Sequence, residues 1–254
     1  MVGVTQEVMS WLAERLDKRN PRVHRDMTLV MGRPTLQELS QTAPVVGEAT
    51  ACLRHVFPGV DERLVQQASR EFADTNGRLA QKKSMAALRY PANFPVQGET
   101  ARFIYLLIRA CRPQVVLETG VADGYSTAVM LAALEENGIG ELHSVDISDD
   151  VGALVEDRAR WRLHVVRRDR GFRQVRRVAG ILRPIDIFFH DADHRFVQQT
   201  QEYELARTIV RPGGFLVSDD VDFSYAFREF VAAHHYPSAI LLDAVKCSGV
   251  LRFG

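Results

Sequence analysis

The chain has 254 residues, 46% of them apolar, with 32 basic and 32 acidic side chains. That length makes one large domain, or a domain with an extension. Zero net charge counts against a general nucleic-acid or membrane-surface binder. The cysteines Cys52, Cys111 and Cys247 form no C-x-x-C pair, which counts against a zinc ribbon or a disulfide framework and fits a reducing cytoplasm. Charges run through the first 20 residues, so no signal-peptide core is expected. No apolar run reaches the roughly 18 residues that span a bilayer.

Residues 1–97 read as a helical region. Apolar spacing predicts helices over 4–19, 35–55 and 61–88, the last with a possible break at Asn76-Gly77. Asn20-Pro21 ends the first, because the residue before proline avoids the helical region. Within the proline-bearing loop "RYPANFPVQGET", the stretch "YPANFPVQ" is a candidate lid, with Tyr90 and Phe94 as candidate substrate contacts or as packing between regions. This first region is expected to cover a site and to contribute to a homo-oligomer interface (a dimer or larger).

From residue 98 the pattern changes. Short apolar runs at 115–119, 142–146, 163–167, 186–190 and 214–218 alternate with helical stretches from Ser126, Asp149, Phe172 and Val197. Near-continuous apolar strands between helices mean a parallel sheet covered on both faces. The tail "SAILLDAVKCSGVLRFG" has no room for a helix between its two apolar runs and reads as a closing hairpin that supplies an antiparallel edge strand. The expectation is an α/β, doubly wound, mostly parallel, Rossmann-like seven-stranded sheet with an antiparallel last strand. It occupies 98–254 and carries a helical N-terminal extension over 1–97.

Such a sheet binds its ligand at the carboxyl ends of its strands. The first strand end, "VVLETGVADGYSTAVM", is strand, glycine turn, helix. Gly120 and Gly124 let backbone approach a ligand, and the helix start offers free N–H groups. The dinucleotide pattern G-x-G-x-x-G is absent, since residue 122 is alanine. Glu118 would repel phosphate and attract an ammonium or sulfonium. Asp146 ends the second strand, where an acid can accept both hydroxyls of a ribose. Asp169, with Arg170 beside it, ends the third and can face an adenine. An adenosine joined to a cationic amino-acid end satisfies all of these, as in S-adenosylmethionine. Alone, the glycines are simply tight-turn residues.

The fourth strand end reads "HDADHRF" and the fifth "SDDV". Asp191, Asp219 and Asp220 would converge from neighbouring strands, and uncompensated carboxylates raise one another's pKa. A divalent cation removes the repulsion, and an all-oxygen set favours Mg2+, or Mn2+ or Ca2+, over zinc. His194 lies just outside the strand and suits proton acceptance near neutral pH. The plainer alternative is that Asp193 and Asp222 cap the following helices and His194 is a surface residue.

These motifs resemble the divalent-metal-dependent class I O-methyltransferases, over about residues 96–254. "VVLETGVADGYST" is similar to the E-x-G-x-x-x-G-Y-S turn of catechol and caffeoyl-CoA O-methyltransferases. The resemblance implies that Glu118, Gly120 and Ser126 hold the methionine part of S-adenosylmethionine. It places Asp146 at the ribose with Ile147 beside it, and Asp169 and Arg170 at the adenine. It gives Asp191, Asp219 and Asp220 as metal ligands, Asp191 also bordering the cofactor. Plant and animal members carry Asp-Asn at the second motif and a lysine where His194 stands. The acid pair with histidine is more similar to the bacterial natural-product group of macrolide-sugar O-methyltransferases and cephalosporin-hydroxylase-like proteins, in which the histidine is the general base. That implies Mg2+-dependent methylation of a small-molecule hydroxyl, aliphatic or sugar, with no nucleic-acid or membrane partner. The alternatives are an NAD-dependent oxidoreductase, a non-catalytic binding protein with this fold, and a metal-independent methyltransferase using His194 with Asp219.

Overall fold

A computed structural model describes residues 32–91, 96, 98–167, 171–244 and 246–254. The helix expected over 4–19, Phe94, Asp169 and Arg170 lie outside the described residues. The chain order is α1 (Leu36–Ser40), β1 (Val45–Val46), α2 (Ala49–Val56), α3 (Glu62–Met85), α4 (Gly98–Cys111), β2 (Val115–Thr119), α5 (Tyr125–Asn137), β3 (Glu141–Asp146) and β4 (Trp161–Val165). It continues with α6 (Gly171–Leu182), β5 (Ile185–His190), α7 (Phe196–Ile209), β6 (Val210–Ser218), α8 (Ala226–His234), β7 (Ser238–Leu242) and β8 (Cys247–Arg252). No helix among the described residues is long and apolar enough to cross a membrane.

The strands form one eight-stranded sheet in the order β1-β7-β8-β6-β5-β2-β3-β4. The alternating α/β pattern becomes the doubly wound sheet expected, because each apolar strand must be covered on both faces. All six residues of β5 are buried. Its Ile187 and Phe189 face a core shared with Leu53, Phe72 and Phe103 of the N-terminal helices and α4. Its Phe188 faces the opposite core, with Tyr203 of α7 and Phe227 of α8. That alternation is the two-residue period of a strand.

The structure departs from the sequence expectations at four places. The span 35–55 is not one helix. A capping box between Thr35 and Glu38 starts α1, Pro44 interrupts it, and Val45–Val46 adds an eighth strand parallel to β7. The segment 61–88 is not broken at Asn76-Gly77: α3 runs through, because Phe72, Thr75 and Leu79 are buried along one side. The stretch from Asp149 forms no helix. Gly152 N–H donates to Ala122 O and Leu154 N–H to Asp123 O, each at 2.9 Å, so the glycine turn after β2 takes donors a helix would use. The closing hairpin exists, but β8 lies inside the sheet, antiparallel to both β6 and β7, and β1 is the edge.

Arg109 of α4 fastens the N-terminal helices to the sheet layer. It is 6% exposed, donates to both oxygens of Glu71 on α3 at 2.7 and 3.1 Å, and also bonds Asn137 of α5.

One glycine decides where the strand ends meet. Gly120 has φ +84°, and a Cβ there would lie 2.0 Å from the Asp191 carbonyl oxygen. Gly59 has φ +82° but nothing within 4 Å of a Cβ. Gly59→Ala is expected to cost about 1 kcal/mol, the left-handed backbone penalty alone. Gly120→Ala is expected to cost on the order of 3 kcal/mol or more, because overpacking adds to that penalty. Urea unfolding of the two variants checks this, and equal losses would contradict it.

Candidate functional site

Register places the candidate residues in one row. Thr119 of β2 pairs with Val145 of β3 and His190 of β5, and His190 pairs with Ser218 of β6. Gly120, Asp146, Asp191 and Asp219 are therefore the next residues out on four adjacent strands. The row is stitched across by backbone bonds: Gly120 N–H to Val145 O at 2.9 Å, Asp191 N–H to Thr119 O at 2.8 Å, Asp219 N–H to His190 O at 2.9 Å.

On the glycine-turn side, Asp146 accepts from the N–H groups of Val121 and Ser148, at 2.9 and 3.0 Å. Its neighbour Ile147 is 53% exposed, an apolar platform beside a carboxylate. Helix α5 starts at Gly124 (φ 82°) with no side-chain cap, so its first N–H groups face the turn with no partner within the helix. Those donors fit a ligand carboxylate, and Asp146 with Ile147 fits a ribose and an adenine face.

Glu118 and Ser126 take different positions from those expected. Glu118 is fully buried, and its carboxylate accepts from Ser126, Thr127 and Ser144 hydroxyls at 2.7, 2.8 and 2.6 Å. Ser144 in turn accepts from the Trp161 indole at 2.9 Å. Glu118 thus braces β2, α5 and β3 from beneath, and Ser126 spends its hydroxyl on it. Burial pushes the Glu118 carboxyl up to about 7, against the three hydroxyl bonds.

Sequence reasoning missed Asp123. It is 3% exposed and accepts from the N–H groups of Arg89 and Tyr90, at 3.1 and 3.2 Å. The candidate lid is thereby tied to the glycine turn. Burial, then the nearby Asp146 and Asp123 carboxylates, raises the Tyr90 phenol above its usual range.

On the acidic side, His194 Nε2 lies 3.3 Å from Asp220 Oδ2 and 3.7 Å from Asp191 Oδ1. Its Nδ1 is buried with no hydrogen-bond partner. Burial, reinforced by His190 and Lys246, pushes its pKa down to about 3. Asp220, in the left-handed region at φ 50°, is pushed up to about 6 by burial and by Asp219. Asp191 is raised well above the usual carboxylate range by burial and by Asp219. Asp193 caps no helix and holds Arg195, whose Nε is 2.8 Å from both its oxygens. Asp222 accepts from Cys247 N–H at 3.1 Å, tying the hairpin down.

The expected cation centre takes another form. Lys246, from the β7–β8 turn and 7% exposed, places Nζ 2.5 Å from Asp219 Oδ2 and 3.6 Å from Asp220 Oδ2. Ser248 donates to the other oxygen, Asp219 Oδ1, at 2.8 Å. Asp219 is fully buried with both oxygens engaged, so the donor set does not fit a divalent cation. Among the described residues no three His, Cys, Asp or Glu side chains form a metal-holding group. Burial alone would lower the Lys246 pKa, but Asp219, Asp220 and Asp191 outweigh it and hold the ammonium charged. The available signal was a lone lysine between the apolar runs of the hairpin.

The Glu118 brace has a measurable consequence. Its folded pKa of about 7 lies above the ordinary 4.5, so the folded chain binds a proton that the unfolded chain releases. That contribution to stability is full below about 4.5 and is lost as pH rises through about 7. Melting curves of wild type and Glu118→Gln across this range should show a flatter profile in the variant. Parallel profiles would contradict the assignment.

Residues 117–221 match a family model described as a methyltransferase domain. Over 151 residues the chain is 31% identical to a catechol O-methyltransferase of Niastella koreensis, covering 56% of this chain. The chain spans 65% of the length of that curated relative. An O-methyltransferase from Bacillus cereus, solved with S-adenosylhomocysteine, superposes with a TM-score of 0.53 at 17% identity, over 81% of this chain and 97% of that one. TomG from Streptomyces achromogenes, an O-methyltransferase involved in tomaymycin synthesis and solved with S-adenosylmethionine, gives 0.51 at 16% identity, over 81% and 96%. The chain thus has the fold of the O-methyltransferases, and residues 117–221, which match the methyltransferase-domain model, carry the glycine turn and both acidic strand ends.

Proposed function

We propose that this protein is an S-adenosylmethionine-dependent O-methyltransferase acting on a hydroxyl of a small molecule, a secondary metabolite or its sugar. The observation that carries the reading is the single row of strand ends. It sets a glycine turn and a ribose-type acid beside a histidine flanked by two carboxylates. S-adenosylmethionine, when bound, supplies a sulfonium methyl, which leaves with its S–C bond broken as the acceptor oxygen forms the new O–C bond, giving the thioether S-adenosylhomocysteine.

The chain's own residues bind, orient and move the proton. The N-terminus of α5 and the turn at Gly120 hold the amino-acid end, Asp146 the ribose, and Ile147 the adenine face. Asp169 and Arg170 are assigned to the adenine by resemblance. Asp191 borders both halves of the site. His194 is assigned as the base: burial holds its pKa down to about 3, which leaves it neutral at pH 7 but weakens it as a base, so a neighbouring carboxylate must favour the imidazolium as it takes the hydroxyl proton. Asp220, pushed up to about 6, is mostly ionised there and stabilises the imidazolium at 3.3 Å. Tyr90 of the lid and the preceding Arg89, fastened to Asp123 by their backbone N–H groups, cover the cofactor side. Positioning the two substrates at attack distance is the main catalytic contribution. The magnesium dependence expected of the three aspartates does not enter the proposal, because Lys246 and Ser248 hold both oxygens of Asp219.

The curated relative's name supports a second acceptor class, an aromatic vicinal diol. His194 in place of the lysine of plant and animal enzymes supports the aliphatic or sugar hydroxyl. A panel containing both classes, read by S-adenosylhomocysteine release, separates them.

Two outcomes are expected. In a thermal-shift assay S-adenosylhomocysteine raises the melting temperature and NAD does not, whereas stabilisation by NAD alone would favour an oxidoreductase. His194→Ala lowers turnover by roughly 10²-fold or more, the share of general-base catalysis, with unchanged calorimetric affinity for S-adenosylhomocysteine. Wild-type turnover in that variant would remove His194 as base.

A further inference from the structure

We infer that Lys246 occupies the place of a divalent cation, its ammonium acting as the fixed positive charge of the acidic strand ends, so that this site works without bound metal. The argument is geometric. Asp191, Asp219 and Asp220 stand at the ends of β5 and β6, where like charges need compensation. Lys246 Nζ supplies it from 2.5 Å on Asp219 and 3.6 Å on Asp220. A magnesium ion requires carboxylate oxygens at about 2.0–2.1 Å in near-octahedral geometry. It could not reach Asp219 Oδ2 without expelling the ammonium. Asp219 Oδ1 is no freer, being bonded to Ser248, which is itself 2.8 Å from Thr100 Oγ1.

The lysine is held there by the fold. Thr100 N–H, at the start of α4, donates to Asp243 at 2.9 Å. Asp243 N–H donates to the Lys246 carbonyl at 3.0 Å, and Val221 N–H donates to Cys247 O at 2.9 Å. The hairpin turn is thus pinned from α4 on one side and from the segment after β6 on the other. A buried ammonium fixed in this way is part of the site, whereas a solvated surface lysine would be free to swing out.

The test is a manganese titration followed by EPR on wild type and Lys246→Met, both with S-adenosylhomocysteine. Wild type is expected to bind no manganese, and its turnover to be unchanged by EDTA. Lys246→Met is expected to take up one manganese per chain, because three carboxylates are then left uncompensated. Tight binding of one manganese by wild type overturns the inference. So does a folded Lys246→Met that binds none, since the lysine would then not be what excludes the ion. If Lys246→Met does not fold, Lys246→Gln is the second neutral variant, and the wild-type titration still decides. The turnover arm rests on the proposed function. S-adenosylhomocysteine binding, measured separately by calorimetry, shows whether that reading fails on its own while the manganese result still judges Lys246.

Discussion

The approach of the β2 turn to the end of β5 governs the rest of the molecule. Gly120 passes so near the Asp191 carbonyl that no side chain fits between them. Because these backbones touch, Val121 can donate to Asp146 and Asp191 can donate back to Thr119. The cofactor side and the acidic side therefore share one wall. A wider turn would separate them and leave two unrelated clusters of polar residues.

Burial then sorts the acids into different tasks. Glu118 sits beneath the row, saturated by three hydroxyls, and works as a brace. Asp146 sits at the rim with two backbone donors and keeps an exposed edge. Asp219 is enclosed and neutralised by Lys246, whereas Asp220, one residue on, turns outward towards His194. The same residue type thus serves as scaffold, ligand acceptor, counter-ion and proton partner, according to depth and neighbours.

The N-terminal region is joined to this site. Arg109 with Glu71 and Asn137 clamps α3 onto the sheet-covering helices, and Asp123 draws Arg89 and Tyr90 over the glycine turn. The strand Val45–Val46 extends the sheet from a segment that reads as helical in isolation. A two-residue strand has no period of its own, and only the exposed edge of β7 makes it one.

The sequence by itself determined the alternation of apolar strands and helices, and with it the parallel sheet and the strand ends that carry Asp146, Asp191 and Asp219. Local pattern suffices there, because a strand buried on both faces must be apolar along its length and polar where it ends. The glycine turn was legible for the same reason. What tertiary structure decided was the partnership of each polar group. Glu118 reads as a ligand acceptor until the hydroxyls of three separate positions are folded onto it. The acidic ends read as a metal centre until a lysine 27 residues beyond Asp219 is brought back by the hairpin. Charge compensation depends on distance in space, and sequence spacing carries no record of that distance when strands cross over.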